Sequence, residues 1–388
     1  MLIQFTVENH RSIKNSAVIS FAASKDKSFE EYLIHPDEKK ALLPVLAIYG
    51  ANAAGKSNVL HAMMTMKEMV VGNSAKVSKG QKLPWEPFGG TKEPTSFEMV
   101  FIFQGVRYTY GFSFDEKKIY KEYLYHWPNG REALIFSREN GLYEFRENVN
   151  EQVTLSNRTP DNKLYLVSSN DWNLPQTENA YWWFLEKLSF LMDEEPATSE
   201  TVAQIAGGDD KKARILKELL LADLGITDVT IKNTSGKIPV ITTTHRIINE
   251  DGTTEYFQLL MQQESAGTQH FFARIGGWLQ ALENGALLVV DEIEDSLHPL
   301  LTRRLIEMVQ DKAINTKGAQ LIFTTHDAML LDLNFFRRDQ IWFAEKNDET
   351  CATELYSLAS FSPRKGENVR KGYLQGRFGA IPFIGGDA

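Results

Sequence analysis

Eight consecutive residues constrain this chain more than any other feature. Gly50-Ala51-Asn52-Ala53-Ala54-Gly55-Lys56-Ser57 fits the phosphate-loop pattern G-x-x-x-x-G-K-[ST]. The apolar run Val45 to Tyr49 precedes it, and a helical pattern from Lys56 to Val71 follows, with Leu60, Met63, Met64 and the Lys67 stem expected on one side, and stops at Gly72. In a strand–loop–helix of this kind the glycines let the backbone turn tightly. The amides of Asn52, Ala53, Ala54 and Gly55 then converge on an anion, and the helix N-terminus adds partial positive charge. Lys56 is expected to reach the β- and γ-phosphates of a nucleotide, and the Ser57 hydroxyl to ligate Mg²⁺. Such a loop needs a buried strand behind it, which sets the class as α/β.

A second apolar run, Leu287 to Val290, ends in Asp291 and Glu292. Acids at strand ends in α/β sheets face the ligand crevice. Asp291 is therefore the candidate metal holder and Glu292 the candidate general base. Two solvated loop acids are the alternative, which the upstream phosphate loop disfavours. Asp291 lies 235 residues after Lys56, so a large insertion interrupts the nucleotide-binding core.

Between the two stands Glu264-Ser265-Ala266-Gly267-Thr268-Gln269, small residues opening a helix that runs to about Glu283. Ser265 or Thr268 capping that helix is one reading. The other makes Ser265 and Gly267 an anion-binding turn, Asp291 following Gln269 by 22 residues. After the acid pair come Glu294-Asp295-Ser296-Leu297-His298-Pro299, where His298 reads as a residue opening the next helix. The apolar run Leu321 to Thr325 ends in His326, 34 residues after Glu292. In this order His326 is the candidate γ-phosphate sensor, although a lone histidine is more often structural.

The remaining chain supplies the frame. Leu2 to Val7 and Ala17 to Ala22 read as strands, and Ser24 to Lys40 as a loop. Residues 95–146 read as an antiparallel meander of alternating aromatics, with hairpin turns at Asn129-Gly130 and Asn140-Gly141. Ala180 to Met192 and Lys211 to Leu224 read as helices, the second capped by Asp209. Strands are expected at Val229–Lys232, Pro239–Ile248 and Tyr256–Gln262, and a helix over Leu300–Asp311. The division this suggests is 1–150 as the first half of the core with the meander, 151–228 as a helical insertion, and 229–388 as the second half of the core.

Composition excludes several alternatives. Hydrophobic residues make up 43% of the 388 and charged residues 24%, the balance of a globular protein. No apolar run approaches the roughly 20 residues of a membrane span, and the first residues do not read as a signal peptide. The single cysteine, Cys351, excludes a cysteine-based zinc site and suits a reducing cytoplasm. A net charge of −9 opposes a generally nucleic-acid-coating surface. One local exception is the tail, where Arg364, Lys365, Arg370, Lys371 and Arg377 are interleaved with Tyr373 and Phe378. That pattern suits a solvated surface better than a nucleic-acid platform.

In this order the motifs resemble those of ABC-type ATPases of the SMC-like and OLD-like group, and within it the stand-alone bacterial AAA ATP-binding proteins of the RloA, AbiL and AriA kind. Val7-Glu8-Asn9-His10-Arg11-Ser12-Ile13 resembles the group's N-terminal strand motif, and Lys371 to Pro382 its tail. The signature, normally S-G-G-Q, is degenerate here at Ala266 and Thr268. The resemblance implies an ABC-type head: a mixed nucleotide-binding sheet, an antiparallel β subdomain and a helical lobe. It implies ATP and Mg²⁺ as ligands, ATP hydrolysis, and a head-to-tail homodimer in which each signature faces the partner's phosphate loop. It places Arg11 beside the nucleotide, although an exposed strand arginine is an equal reading. It also implies a role in anti-phage defence with a separately encoded nuclease or toxin-like effector. Departures are the lack of a clear Q-loop glutamine (Gln104, Gln152 and Gln176 compete), of a long coiled coil, and of acids spaced for a fused nuclease. A DNA-binding repair ATPase whose DNA affinity is gated by ATP is the alternative function.

Overall fold

The alternation of buried residues along Val45–Tyr49 explains how the layers form. A computed structural model describes residues 1–382 except 39, 73–76, 193–197, 223–224, 233–238 and 365. In chain order, β1 (Leu2–Glu8), β2 (Ala17–Ser20), β3 (Ile34–Asp37) and β4 (Lys40–Leu42) lead to β5 (Val45–Tyr49), the phosphate loop and α1 (Lys56–Val71). The meander follows as β6 (Thr95–Phe103), β7 (Val106–Phe114), β8 (Ile119–Trp127), β9 (Ala133–Glu139) and β10 (Leu142–Phe145). Then come α2 (Val149–Ser156), α3 (Tyr165–Asp171), α4 (Pro175–Glu186), β11 (Leu188–Leu191), α5 (Ser199–Ala206) and α6 (Asp209–Leu221). β12 (Ile226–Lys232), β13 (Val240–Ile248) and β14 (Thr254–Leu260) make a small antiparallel sheet ahead of α7 (Ala266–Asn284). The chain closes with β15 (Leu287–Val290), α8 (Pro299–Gln310), β16 (Gln320–Thr325), β17 (Ile341–Lys346), β18 (Thr353–Ser357) and α9 (Val369–Leu374).

The central sheet has the order β11-β15-β16-β5-β17-β18 and is mixed, parallel throughout except for the final β17–β18 hairpin. All five residues of β5 are buried, as expected of a parallel strand covered on both faces. Leu46 and Ile48 enter one core with α1 and the meander, whereas Val45, Ala47 and Tyr49 enter a second with α7 and α8. The meander joins β1 and β2 in a seven-stranded antiparallel sheet, β10-β9-β8-β7-β6-β1-β2. Its inward row matches the expected alternation: Phe97 pairs with Phe112, Met99 with Tyr110 and Phe101 with Tyr108. The fold is thus α/β, with a mixed central sheet, an antiparallel subdomain and helices on both sides of the central layer.

Four expectations need correction. Ala180–Met192 is not one helix: α4 ends at Glu186, and Leu188–Leu191 is a strand pairing in parallel with Leu287–Val290. Asp209 is the first residue of α6 rather than its cap, which is Gly208, and the expected helix end at Leu224 lies outside the described residues. The 24–40 stretch holds a 3₁₀ turn and β3. The inner face of α1 uses Met66 rather than Met64, and Lys67 instead donates to the Leu188 carbonyl at 2.7 Å.

Candidate nucleotide-binding site

Three neighbouring parallel strands end together. Val290, Phe323 and Ala47 are aligned across β15, β16 and β5. Asp291, Thr324 and the start of the phosphate loop therefore emerge at one carboxyl edge, the position at which open α/β sheets bind ligands. The loop approaches its surroundings closely. A Cβ on Gly50 would lie 2.3 Å from the Ala344 carbonyl oxygen, and Gly55 has φ +95°. Ala53, also left-handed at φ 62°, tightens the same turn.

Lys56 is 5% exposed. Its Nζ donates to the carbonyls of Gly50 (3.0 Å) and Ala51 (3.1 Å), across the mouth of the loop. Burial lowers its pKa, and the carboxylates of Glu292, Asp291 and Glu294 oppose that shift. The sheet edge thus brings all three acids within electrostatic reach of one ammonium. Ser57 Oγ donates to Asp291 Oδ1 at 3.1 Å, and the Thr324 hydroxyl donates to the same oxygen. A hydroxyl and a carboxylate side by side are hard oxygen donors that fit Mg²⁺, which keeps most of its waters when bound.

Glu292 follows in the left-handed region, φ 46°, with its amide donating to Thr324 Oγ1 at 2.8 Å. In an extended strand, adjacent acids would point to opposite faces; this backbone conformation breaks that alternation, at a cost of order 1 kcal/mol. His326 directly follows β16, with its side chain 57% exposed and Nδ1 3.1 Å from Glu294 Oε1. The His326 amide donates to that oxygen at 2.7 Å, so Glu294 fixes the histidine's place. A cavity of about 840 Å³ opens beside the loop, lined by Gly50, Ala53, His326, Glu345, Tyr373 and Ile381.

Residues 45–332 match the family described as "AAA domain, putative AbiEii toxin, Type IV TA system". The chain belongs to this AAA-domain family. The match takes in the phosphate loop, the acid pair and His326, so the AAA domain and the carboxyl edge just described coincide. No curated protein matches the chain. Among solved structures, the SMC head domain from Thermotoga maritima is 11% identical over 92% of this chain and 98% of its own, with a TM-score of 0.41. CbiO1 from Clostridium perfringens, part of the ABC transporter complex cbiONQ, is 12% identical over 97% and 96%, with a TM-score of 0.35. Both TM-scores are too low to speak for a shared function.

Other expected site residues of the AAA domain fall into place unequally. Ser265 is the N-cap of α7, its Oγ accepting from the Thr268 amide at 3.2 Å, and it is exposed. A Cβ on Gly267 would lie 3.0 Å from the Ser296 carbonyl. Arg274 on the same helix donates to the Ile293 and Asp295 carbonyls at 3.0 and 3.3 Å. The helix is therefore fastened to the loop after the acid pair. Among the described residues neither Ser265 nor Gly267 hydrogen-bonds the phosphate loop of its own chain. His298 caps α8, its Nδ1 accepting from Leu300 at 3.2 Å.

Arg11 pairs with Glu86 at 2.6 Å. Its chain neighbour Ser12 accepts from Asn58 Nδ2 at 2.7 Å, which places Arg11 beside the start of α1. Among the described residues none of the three candidate glutamines bonds to the site. Gln104 occupies a hairpin turn at φ 49°, Gln152 is buried against Glu147 and Tyr165, and Gln176 stands at the start of α4. In the tail, Tyr373 and Phe378 are buried, which removes them as stacking platforms; Arg377 pairs with Glu367, and Lys365 lies outside the described residues. Among the described residues no helix is long and apolar enough to cross a membrane.

Sequence reasoning missed Thr324, whose hydroxyl joins Asp291 to the Glu292 amide, and the part Glu294 plays in holding His326. Their signal was position alone, beside residues already singled out.

Proposed function

We propose that this AAA-domain chain hydrolyses ATP and works as a nucleotide-gated switch through a head-to-tail homodimer. The observation that carries the reading is the meeting of Ser57, Asp291 and Thr324 at one oxygen, beside the buried Lys56 ammonium. Lys56 holds the β- and γ-phosphates. Ser57 and Asp291 hold Mg²⁺, which when bound neutralises charge developing on the phosphates. Glu292 accepts a proton from the attacking water, and His326 contacts the γ-phosphate. The exposed Ser265 and the half-buried Gly267 complete the partner's site rather than their own, and Arg11 flanks the nucleotide.

ATP closes the dimer and hydrolysis opens it, which gives a second component two surfaces to distinguish. We place this switch in the bacterial cytoplasm in an anti-phage defence role, where a separate nuclease or toxin-like effector reads that state; the toxin–antitoxin wording of the family description supports the defence role alone. Glu292→Gln tests the reading. This variant keeps the shape and the metal ligand but loses the base, so ATP binds, hydrolysis stalls and the dimer accumulates on a sizing column. A variant that stays monomeric with ATP overturns the dimer switch.

A further inference from the structure

The orientation of the Ala54–Gly55 peptide in the phosphate loop is set from outside the loop. The Ala54 carbonyl accepts from Thr353 Oγ1 at 2.9 Å, a buried contact spanning 299 residues. A trans peptide points its C=O and N–H in opposite directions. Holding this carbonyl toward β18 therefore turns the Gly55 N–H to the other side, where phosphate-loop amides meet their ligand.

Thr353 is itself held. Its backbone amide donates to the Ser12 carbonyl at 2.7 Å. Its hydroxyl lies 2.7 Å from Ser12 Oγ, which accepts from Asn58 Nδ2 at 2.7 Å. A threonine has one hydroxyl proton. The arrangement that satisfies every group runs from Asn58 to Ser12, from Ser12 to Thr353, and from Thr353 to the Ala54 carbonyl. Glycine at 55 completes the clasp, because a Cβ there would lie 1.9 Å from Thr353 Oγ1 and 2.7 Å from Ser12 Oγ.

We propose that Thr353, backed by Ser12, is a positioning residue that aims the Gly55 amide at the nucleotide's phosphates without touching them. The inference rests on the loop being the ATP site. An amide aimed by the fold serves ground state and transition state alike, so its loss raises Kd and KM and leaves kcat nearly unchanged.

The test compares Thr353→Val, Thr353→Ser, Ser12→Ala and Lys56→Ala in the full chain, with binding of a fluorescent ATP analogue and steady-state turnover as readouts. Thr353→Val keeps the shape and orphans the Ala54 carbonyl; it is expected to weaken binding and raise KM about tenfold, with kcat within about twofold of wild type. Thr353→Ser restores the hydroxyl and binds like wild type. Ser12→Ala, which unmoors the threonine, weakens binding about threefold. A folded Thr353→Val that binds like wild type overturns the proposal, as does a serine variant as damaged as the valine one. Should the valine variant fail to fold, an unchanged Kd in Ser12→Ala overturns it. Lys56→Ala separates this failure from that of the underlying reading: if it too binds at wild-type strength, the loop is not the ATP site and both fall.

Discussion

Ser57 Oγ donates to Asp291 Oδ1 at 3.1 Å, joining the first turn of α1 to the end of β15. The two residues share a metal in the proposed reaction, so they should fail in the same variable. Ser57→Ala is expected to raise the Mg²⁺ concentration for half-maximal turnover roughly tenfold. Asp291→Asn removes the charge as well and should raise that concentration further, by about 100-fold, while ATP still binds. A Mg²⁺ titration of ATPase activity checks both; an unmoved midpoint in Ser57→Ala removes the serine from the metal site.

Acid sensitivity should trace in part to His10. It is fully buried, edge-on to Phe97 at 5.3 Å, and neither ring nitrogen finds a hydrogen-bond partner among the described residues. Burial first, then the Arg11 charge, lowers its pKa to about 4 from the ordinary 6.5. Between those values the unfolded chain binds a proton that the folded chain refuses. Stability is therefore lost as pH falls from 6.5 toward 4, by up to about 3 kcal/mol at roughly 1.36 kcal/mol per pH unit. His10→Phe should flatten the fall in Tm between pH 7 and pH 5, and an identical fall in the variant would contradict the assignment.

Glu122 should matter for stability rather than catalysis. Fully buried, it accepts from Tyr110 Oη (3.0 Å) and from the Tyr165 and Leu166 amides (2.7 and 2.9 Å), and lies 3.9 Å from the buried Arg138. Glu122→Ala strands these donors, and urea denaturation is expected to show a loss of about 3 kcal/mol. A loss under about 1 kcal/mol would mean the network repacks.

The phosphate loop, the acid pair and His326 were legible because each is a short run of residues at the end of an apolar strand. The meander was legible because Phe97 to Phe103 and Tyr108 to Phe114 alternate cleanly. β11 was not: Leu188–Leu191 continues the apolar texture of α4, and only the open edge of β15 makes it a strand. Ser12 and Thr353 were invisible as a pair, because their hydroxyls meet across 341 residues and neither belongs to a motif that demands the other. Ser265 was legible only as two alternatives, since a helix cap and a partner-facing anion site use the same residue types.

That ambiguity points to the measurement bearing most directly on the head-to-tail dimer. In the proposed dimer Glu292→Gln damages a site from its own chain, whereas Ser265→Ala damages the site of the partner. Each homodimer then carries two damaged sites, but a mixed dimer collects both lesions in one and leaves the other intact. Equal mixing with free subunit exchange makes about half the dimers mixed, each with one working site, so ATPase activity should recover to roughly a quarter of wild type. Activity no higher than the average of the two variants, with exchange verified, would contradict the composite site and leave Ser265 as the cap of its own helix.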